Sequence, residues 1–305
     1  MPGEAPAYVP LGQRERSFRR LGPIDLEFCI MTSFANWIFG AALIPVAVGG
    51  AIIAAGRVAE RVRPASKCPA GDVLFNLFYL APSSLLHAIS VPSVAIVTVA
   101  MTNALGGGLL RLPSSGWGLI PAVALYAFAM DFGEYVFHRA QHRFPVLWAM
   151  HSLHHSDRAV NVSTTQRHFW AEQAIKSATI YLMVGLLFRT SDRILVIYGV
   201  LTFWNFVSHM NLRLGFGPAW FILNSPQFHR VHHSCRSEHY DRNFAALFTI
   251  FDVIFRTAHV PAPEEYPATG LEDEDTPHSL TEAVLWPMRG WLRREQALAG
   301  QAQKQ

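Results

Sequence analysis

Four long apolar stretches, separated by polar segments that carry arginine and histidine, dominate the pattern along the chain. They cover about residues 27–55, 73–104, 117–133 and 171–209. A helix needs about 20 apolar residues to cross the hydrocarbon core of a bilayer, and each stretch is close to that length or longer. The pattern therefore predicts an all-α fold with a polytopic transmembrane helical domain.

Three of these stretches are longer than a single crossing requires, and each contains an interruption. The interruptions are Pro45 in the first, Pro82 or Pro92 in the second, and the polar residues 189–193 in the fourth. Proline removes a helical hydrogen bond, and a polar segment is unfavourable inside a bilayer. Each of the three stretches is therefore a kinked span, a re-entrant segment or a hairpin. We interpret the fourth stretch as two helices joined by a short external turn.

The composition supports membrane burial and argues against several other classes of protein. Hydrophobic residues make up 51% of the chain and charged residues only 15%, which is unusual for a soluble protein. The net charge of +3 is small, so nucleic-acid binding has little support. The scattered cysteines form no CxxC pair, which argues against an iron–sulfur cluster or a zinc ribbon.

Changes in polarity divide the chain into three parts. They are a loosely ordered polar leader at 1–26, a membrane-embedded domain at 27–260, and a polar loop with a short amphipathic segment at 261–305. Within the last part, Trp286 and Trp291 suit a membrane interface.

Basic residues predict the orientation of the membrane domain. The arginines and lysine of residues 57–67 mark that loop as cytoplasmic by the positive-inside tendency. Counting crossings from there places residues 105–116 outside and both histidine-rich segments on the cytoplasmic side, in a helical cap. The basic leader and this loop cannot both be cytoplasmic if the first stretch crosses once, so either that stretch is a hairpin or one basic cluster lies on the other side. The exact number of crossings and the N-terminal orientation therefore stay open.

Nine of the 14 histidines fall in four places, with spacings typical of metal ligands. These places are HRAQH at 138–142, HSLHH at 151–155, a single His209, and HRVHH at 229–233. Positions i, i+3 and i+4 share one face of a helix, so His138 and His142 form a two-pronged pair. The last two imidazoles of each HxxHH box diverge by about 100°, which allows one box to serve two ions.

This number of imidazoles exceeds what one metal ion needs. A single zinc site is normally complete with four ligands, whereas two five- or six-coordinate ions use about eight or nine. The inventory therefore favours a two-metal centre. The candidate ligands are His138, His142, His151, His154, His155, His209, His229, His232 and His233. Whether the nearby His168 and His239 bind metal, orient a ligand or face solvent stays open.

Residues around the boxes complete a pattern that a known family shares. Asp131 and Tyr135 precede the first box, Asn211 follows the single histidine, Ser225-Pro226 leads into the last box, and Asn243-Phe244 and Phe251-Asp252 come after it. With these residues, the segment from about 117 to 257 resembles the fatty acid hydroxylase and sterol desaturase superfamily of membrane di-iron enzymes.

The resemblance implies a function and a cofactor. It implies that the nine histidines hold two non-haem iron ions, which use O2 to hydroxylate or desaturate a C–H bond of a membrane lipid such as a sterol or a fatty acyl chain. The sequence does not choose between the two outcomes, and the lipid and the oligomeric state stay open.

Dioxygen activation requires electrons from outside this chain. The sequence has no cytochrome-type haem motif, no CxxC cluster and no Gly-rich dinucleotide fingerprint, so a separate reductase or electron carrier is implied. The cytoplasmic loops are its expected docking surface. Asp131, Glu134 and Asp241 lie near boxes and are candidates either to accept the free N–H of a ligand or to pair with arginines.

Two other functions are compatible with clustered histidines. A zinc-dependent membrane hydrolase is one, but the sequence lacks HExxH and with it the usual general-base glutamate. A histidine-rich metal transporter or metal-binding membrane protein is the other. Transporters place ionisable groups near the bilayer midplane, whereas these histidines lie at one membrane face.

Overall fold

The computed structural model describes residues 36, 39–189, 194, 196–273 and 275–289, and it is mostly helical. This confirms the predicted all-α class. The polar leader, residues 190–193 of the predicted external turn and the interfacial Trp291 fall outside the described residues.

Within the described part of the chain, three helices are long and apolar enough to cross a membrane. They are α1 (Ile44–Glu60), which continues a π-turn at Phe39–Leu43, α2 (Ala70–Ala104) and α3 (Leu119–Arg143). Many of their apolar side chains are exposed, including Phe78 at 64% and Ile96 at 71%. Such a surface is expected where lipid replaces water around a protein.

Helix α2 continues without a break through both of its prolines. The second apolar stretch is therefore neither a re-entrant segment nor a hairpin. Its 35 residues extend over about 52 Å at 1.5 Å per residue, against about 30 Å of hydrocarbon. The helix consequently tilts or projects beyond the bilayer, which accounts for its length without a second crossing.

The fourth apolar stretch forms two helical segments, as predicted, but both are shorter than a crossing requires. The first consists of α4 (Glu172–Lys176), a π-turn (Ser177–Tyr181) and α5 (Leu182–Leu187); the second is α6 (Ile197–Ser208). Strand β2 (Phe188–Arg189) follows the first segment and pairs in parallel with β1 (Leu110–Arg111). The end of the first segment therefore lies beside residues 110–111, whereas residues 190–193 of the predicted external turn fall outside the described residues.

The basic loop after α1 lies at the same end of the molecule as the histidines. The Arg213 N–H donates to the Arg63 carbonyl at 2.9 Å, and the Ala65 N–H donates to the Asn211 carbonyl at 3.3 Å. Asn211 is two residues beyond His209. The basic cluster and the histidine-rich segments thus share one face, as the charge pattern predicts.

A cap of short helices and loops covers this end of the long helices. Its elements are α7 (Pro145–His155), α8 (Pro226–His232), α9 (Ile250–Ile254), α10 (Leu280–Val284) and the 3-10 turns Val162–Gln166, Gly217–Phe221, Ser237–His239 and Trp286–Met288. In this cap, Trp286 is only 5% exposed and its indole N–H donates to Ser152 Oγ at 2.8 Å. Its predicted place at a membrane interface is wrong, because the 3-10 turn folds the indole inward against α7.

A buried carboxylate joins the membrane helix α3 to the cap. The two oxygens of Asp131 accept the backbone N–H groups of Leu247 and Phe248 at 2.9 and 2.7 Å. Nearby, Tyr135, Phe244 and Phe251 form a small aromatic core. These contacts fix the loop before α9 against α3, next to the first histidine box.

Candidate metal centre

Four short stretches of chain bring the predicted ligands together. Helix α3 extends past its apolar part and carries His138 and His142 one turn apart. Helix α7 starts at Pro145 and carries the second box, and His209 caps the end of α6. Helix α8 begins at Pro226, behind the N-cap Ser225, and carries the last box. Proline at the first helical position is favourable because its missing N–H has no helical partner there.

The nine candidate ligands fall into two groups. The first, the five-histidine group, is His138, His142, His151, His155 and His232; the second, the four-histidine group, is His154, His209, His229 and His233. The neighbours His154 and His155 point to different groups, and so do His232 and His233. This is the split that the divergence of adjacent helical side chains predicts.

Within the four-histidine group, the Nε2 atoms converge closely. His209 Nε2 lies 2.9 Å from His229 Nε2, 3.0 Å from His154 Nε2 and 3.3 Å from His233 Nε2. Metal–imidazole bonds of about 2.1 Å place neighbouring ligand atoms about 3.0 Å apart at right angles and about 3.4 Å apart in a tetrahedron. The observed distances are those of ligands around one ion.

Hydrogen bonding among the imidazoles alone cannot explain this convergence. His209 Nδ1 donates to the Asn205 carbonyl at 2.7 Å, so its neutral ring offers one lone pair at Nε2. Three N–H groups cannot share that lone pair, and His229 Nε2 and His233 Nε2 also face each other at 3.2 Å. A cation at the centre resolves the conflict, because every Nε2 then presents a lone pair to it.

The five-histidine group leads to the same conclusion. His138 Nδ1 donates to the Phe244 carbonyl at 2.8 Å and His151 Nδ1 donates to Glu172 Oε2 at 3.3 Å. Both rings therefore turn Nε2 lone pairs towards each other, at 3.1 Å. His232 Nδ1 donates to the Arg242 carbonyl, and its buried Nε2 has no hydrogen-bond partner among the described residues. The donor set of both groups fits metal ions.

Burial keeps these imidazoles neutral and able to bind metal. Burial lowers the pKa of His209 to about 3, although the hydrogen bond to the Asn205 carbonyl acts in the opposite direction. It lowers the pKa of His151 to about 4, although the nearby Glu172 carboxylate raises that pKa. Removing a charged imidazolium from water is unfavourable, so the neutral form dominates near pH 7.

Glu172 is the carboxylate that orients a ligand, and the sequence analysis did not single it out. It is buried, and its Oε2 also accepts from His168 Nδ1 at 3.2 Å and from Gln141 Nε2 at 2.7 Å. The imidazole of His168 stacks on His154 with ring centroids 4.0 Å apart. His168 therefore belongs to the surroundings of the centre, outside both groups.

Two of the three carboxylates named from the sequence have partners other than a candidate ligand. Asp131 accepts backbone N–H groups, as described above, and Glu134 pairs with Lys176 at 2.6 Å. Only Asp241 approaches a candidate ligand, with its Oδ1 3.6 Å from His142 Nδ1, and its side chain is 75% exposed. Of the carboxylates discussed, the buried one that accepts the N–H of a candidate ligand is therefore Glu172.

The remaining histidines lie outside the two groups. His239 forms a separate group with His259 and Glu265, whereas His278 is exposed. His87, on α2, lines a cavity beside the four-histidine group.

Two cavities reach the histidines from different sides. One, of about 670 Å³, is formed by the cap and touches the five-histidine group at His142, His155 and His232. The other, of about 270 Å³, lies among the membrane helices and touches both groups, for example at His138 and His209. The centre is therefore accessible from the helix bundle as well as from the cap.

Fold and site together define a class: a helical protein with long apolar spans and a histidine centre able to hold two metal ions at one membrane face. Residues 123–257 match the family model described as fatty acid hydroxylase. This segment is therefore similar to fatty acid hydroxylases, which confirms the resemblance inferred from the boxes.

Several curated proteins are similar to part of this chain. Alkylglycerol monooxygenase of Caenorhabditis elegans is 32% identical over 53% of this chain and 31% of its own length. Alkylglycerol monooxygenase of Homo sapiens is 36% identical over 42% of this chain and 28% of its own length. The ornithine lipid hydroxylase OlsE of Rhizobium tropici is 30% identical over 48% of this chain and 44% of its own length. The chain thus spans less than half the length of these relatives. No solved structure matches.

Proposed function

We propose that this protein is a membrane-bound, O2-dependent lipid hydroxylase whose nine clustered histidines hold two iron ions. The observation that carries the proposal is the convergence of imidazole lone pairs on two adjacent centres. When bound, a pair of iron ions supplies the O2-derived oxidant that attacks an unactivated C–H bond, which no side chain can do unaided. The names of the relatives, a monooxygenase and a hydroxylase, favour hydroxylation over desaturation.

The protein itself contributes geometry, acceptors for the ligand N–H groups and exclusion of water. Glu172 and the carbonyls of Phe244, Arg242 and Asn205 fix the imidazole rings. Ligands fixed by such contacts bind metal more tightly and in one geometry. The buried surroundings limit the entry of water, which protects a strong oxidant from side reactions.

The cavity among the membrane helices is the proposed lipid site. It lies between α3, α4 and α6, and its walls also carry Tyr181, Tyr198 and the Lys176–Glu134 pair. A lipid tail enters such a cavity without leaving the bilayer. The polar wall supports a lipid with a hydrogen-bonding group, and the names of the relatives mention an alkylglycerol and an ornithine lipid.

The electron donor and the orientation are further parts of the proposal. A separate reductase or electron carrier docks on the cap, whose cavity opens on the five-histidine group. The histidine end faces the cytoplasm, because the basic loop at 57–67 lies at the same end.

The test is incubation of the purified, iron-loaded protein with a chemical or protein reductant, 18O2 and an extract of membrane lipids. We expect one lipid class to gain a single 18O atom, detected by mass spectrometry. Desaturation predicts the loss of two hydrogens without incorporation. A product that forms equally well without O2, from protein that retains zinc, would overturn the proposal in favour of a hydrolase.

A further inference from the structure

A third group of metal-binding side chains lies outside the nine-histidine centre. His239, His259 and Glu265 come from different parts of the cap loops, and one ligand atom from each lies within 4.8 Å of the others. His239 Nε2 is 3.1 Å and His259 Nε2 is 3.3 Å from the same atom, Glu265 Oε1. Neither histidine is part of a candidate ligand group for iron.

These distances fit the edges of a coordination polyhedron. Ligand atoms bound at about 2.0 Å in a tetrahedron lie about 3.3 Å apart. Both imidazole–carboxylate distances are close to the tetrahedral edge, and both imidazoles converge on the same carboxylate oxygen.

Surrounding contacts hold the second polar atom of His239 and of Glu265, as well as the backbone of His259, and the converging atoms face each other. His239 Nδ1 lies 2.9 Å from Ser234 Oγ, and Glu265 Oε2 accepts the Ala262 N–H at 2.9 Å. The backbone of His259 is held by the side chain of Asn243 through both its N–H and its carbonyl. Metal ligands are commonly oriented by such contacts at their far side.

We propose that His239, His259 and Glu265 bind a structural zinc ion, separate from the nine-histidine centre. Two neutral imidazoles and one carboxylate are a donor set that zinc favours, and water completes a fourth position. His239 is only 2% exposed, whereas the side chains of His259 and Glu265 are 31% and 20% exposed. The site therefore has a solvent-facing side through which an ion enters.

The position of the site indicates a structural role. It links the 3-10 turn after the last histidine box to the loop that follows α9, two segments with little regular secondary structure of their own. A bound ion contributes its binding free energy to the folded state, so it stabilises segments that lack a large core. It thereby holds the chain beyond His233 in place.

Metal analysis of the full-length purified protein tests this site. Protein stripped of metal is reloaded with iron and zinc, and both are measured per chain by inductively coupled plasma mass spectrometry in the wild type, in His259→Gln and in the control His278→Gln. We expect one zinc in the wild type and the control and none in His259→Gln, with the iron content equal in all three. Glu265→Gln repeats the measurement if His259→Gln fails to fold.

The outcomes separate this proposal from the proposed lipid hydroxylase. Wild-type protein without a zinc equivalent, or His259→Gln with an undiminished one, would overturn the third site while leaving the iron centre untouched. A third equivalent of iron, lost in His259→Gln, would support the site and refute the choice of zinc. Missing iron in every variant, with zinc retained, would contradict the iron centre alone.

Discussion

The two histidine groups differ in how the protein holds their imidazoles. In the five-histidine group, His138, His151 and His232 each donate their Nδ1–H to a carbonyl or carboxylate. In the four-histidine group, only His209 does so. Among the described residues, no hydrogen-bond partner is found for the Nδ1 atoms of His154, His229 and His233.

This difference teaches that two adjacent sites of the same ligand type need not be equally preorganised. Rings whose far nitrogen is hydrogen-bonded stay in place without metal, whereas rings without such a bond rely on the ion itself. We therefore expect the four-histidine group to bind iron more weakly and to lose it first.

The largest effect is expected from His209→Gln. This change removes the imidazole that is anchored in the four-histidine group, so the remaining three rings lose their common partner. We expect one iron per chain instead of two, and a fall in lipid oxidation of more than about 100-fold, beyond the usual cost of losing an outer contact. Iron analysis and product formation check both values. Retention of two iron ions per chain would contradict the proposal that this group binds iron more weakly.

A smaller effect is expected from Glu172→Gln, which acts on the five-histidine group. The amide keeps the shape of the side chain but accepts the N–H groups of His151 and His168 less strongly. We expect a loss of about 10- to 100-fold in iron affinity or activity. The matched control is Glu264→Gln, whose carboxylate is 73% exposed and pairs with Arg213 at the surface. Equal activity of the two variants would show that Glu172 does not support the centre.

Asp131→Asn tests the anchor of the five-histidine group through stability. Asp131 holds the N–H groups of Leu247 and Phe248, close to the Phe244 carbonyl that fixes His138. An amide keeps one acceptor, so we expect a loss of about 1.5–3 kcal/mol in the free energy of unfolding, with two irons still bound. Denaturant unfolding in detergent measures it. An unchanged midpoint would contradict the role given to this carboxylate.

The smallest effect is expected from Asp241→Asn. Its side chain is 75% exposed and lies 3.6 Å from His142, so water screens the interaction. Exposed pairs contribute at most about 1 kcal/mol, which corresponds to less than about fivefold in iron affinity. A competition titration with a chelator measures this. A loss as large as that of Glu172→Gln would show that the exposed carboxylate orients His142.

Local spacing predicted much of the centre. The alternation of His154 and His155 between the two groups follows from the helical repeat alone, and so does the pairing of His138 with His142. The apolar stretches also predicted the three long helices, since length and hydropathy are local properties.

Contacts between distant segments could not be predicted in the same way. Glu172 reaches His151 across 21 positions, and Glu265 reaches His239 across 26. No periodicity connects such residues, because only the folded chain brings them together. Trp286 shows the same limit: its sequence favours an interface, but the packing of the cap places it in the core.

The most direct test of the central claim is a diffraction experiment on crystals of iron-loaded protein at wavelengths above and below the iron absorption edge. We predict two anomalous peaks at the iron edge, one among the Nε2 atoms of the four-histidine group and one among those of the five-histidine group. A single peak, or peaks away from these imidazoles, would contradict the account.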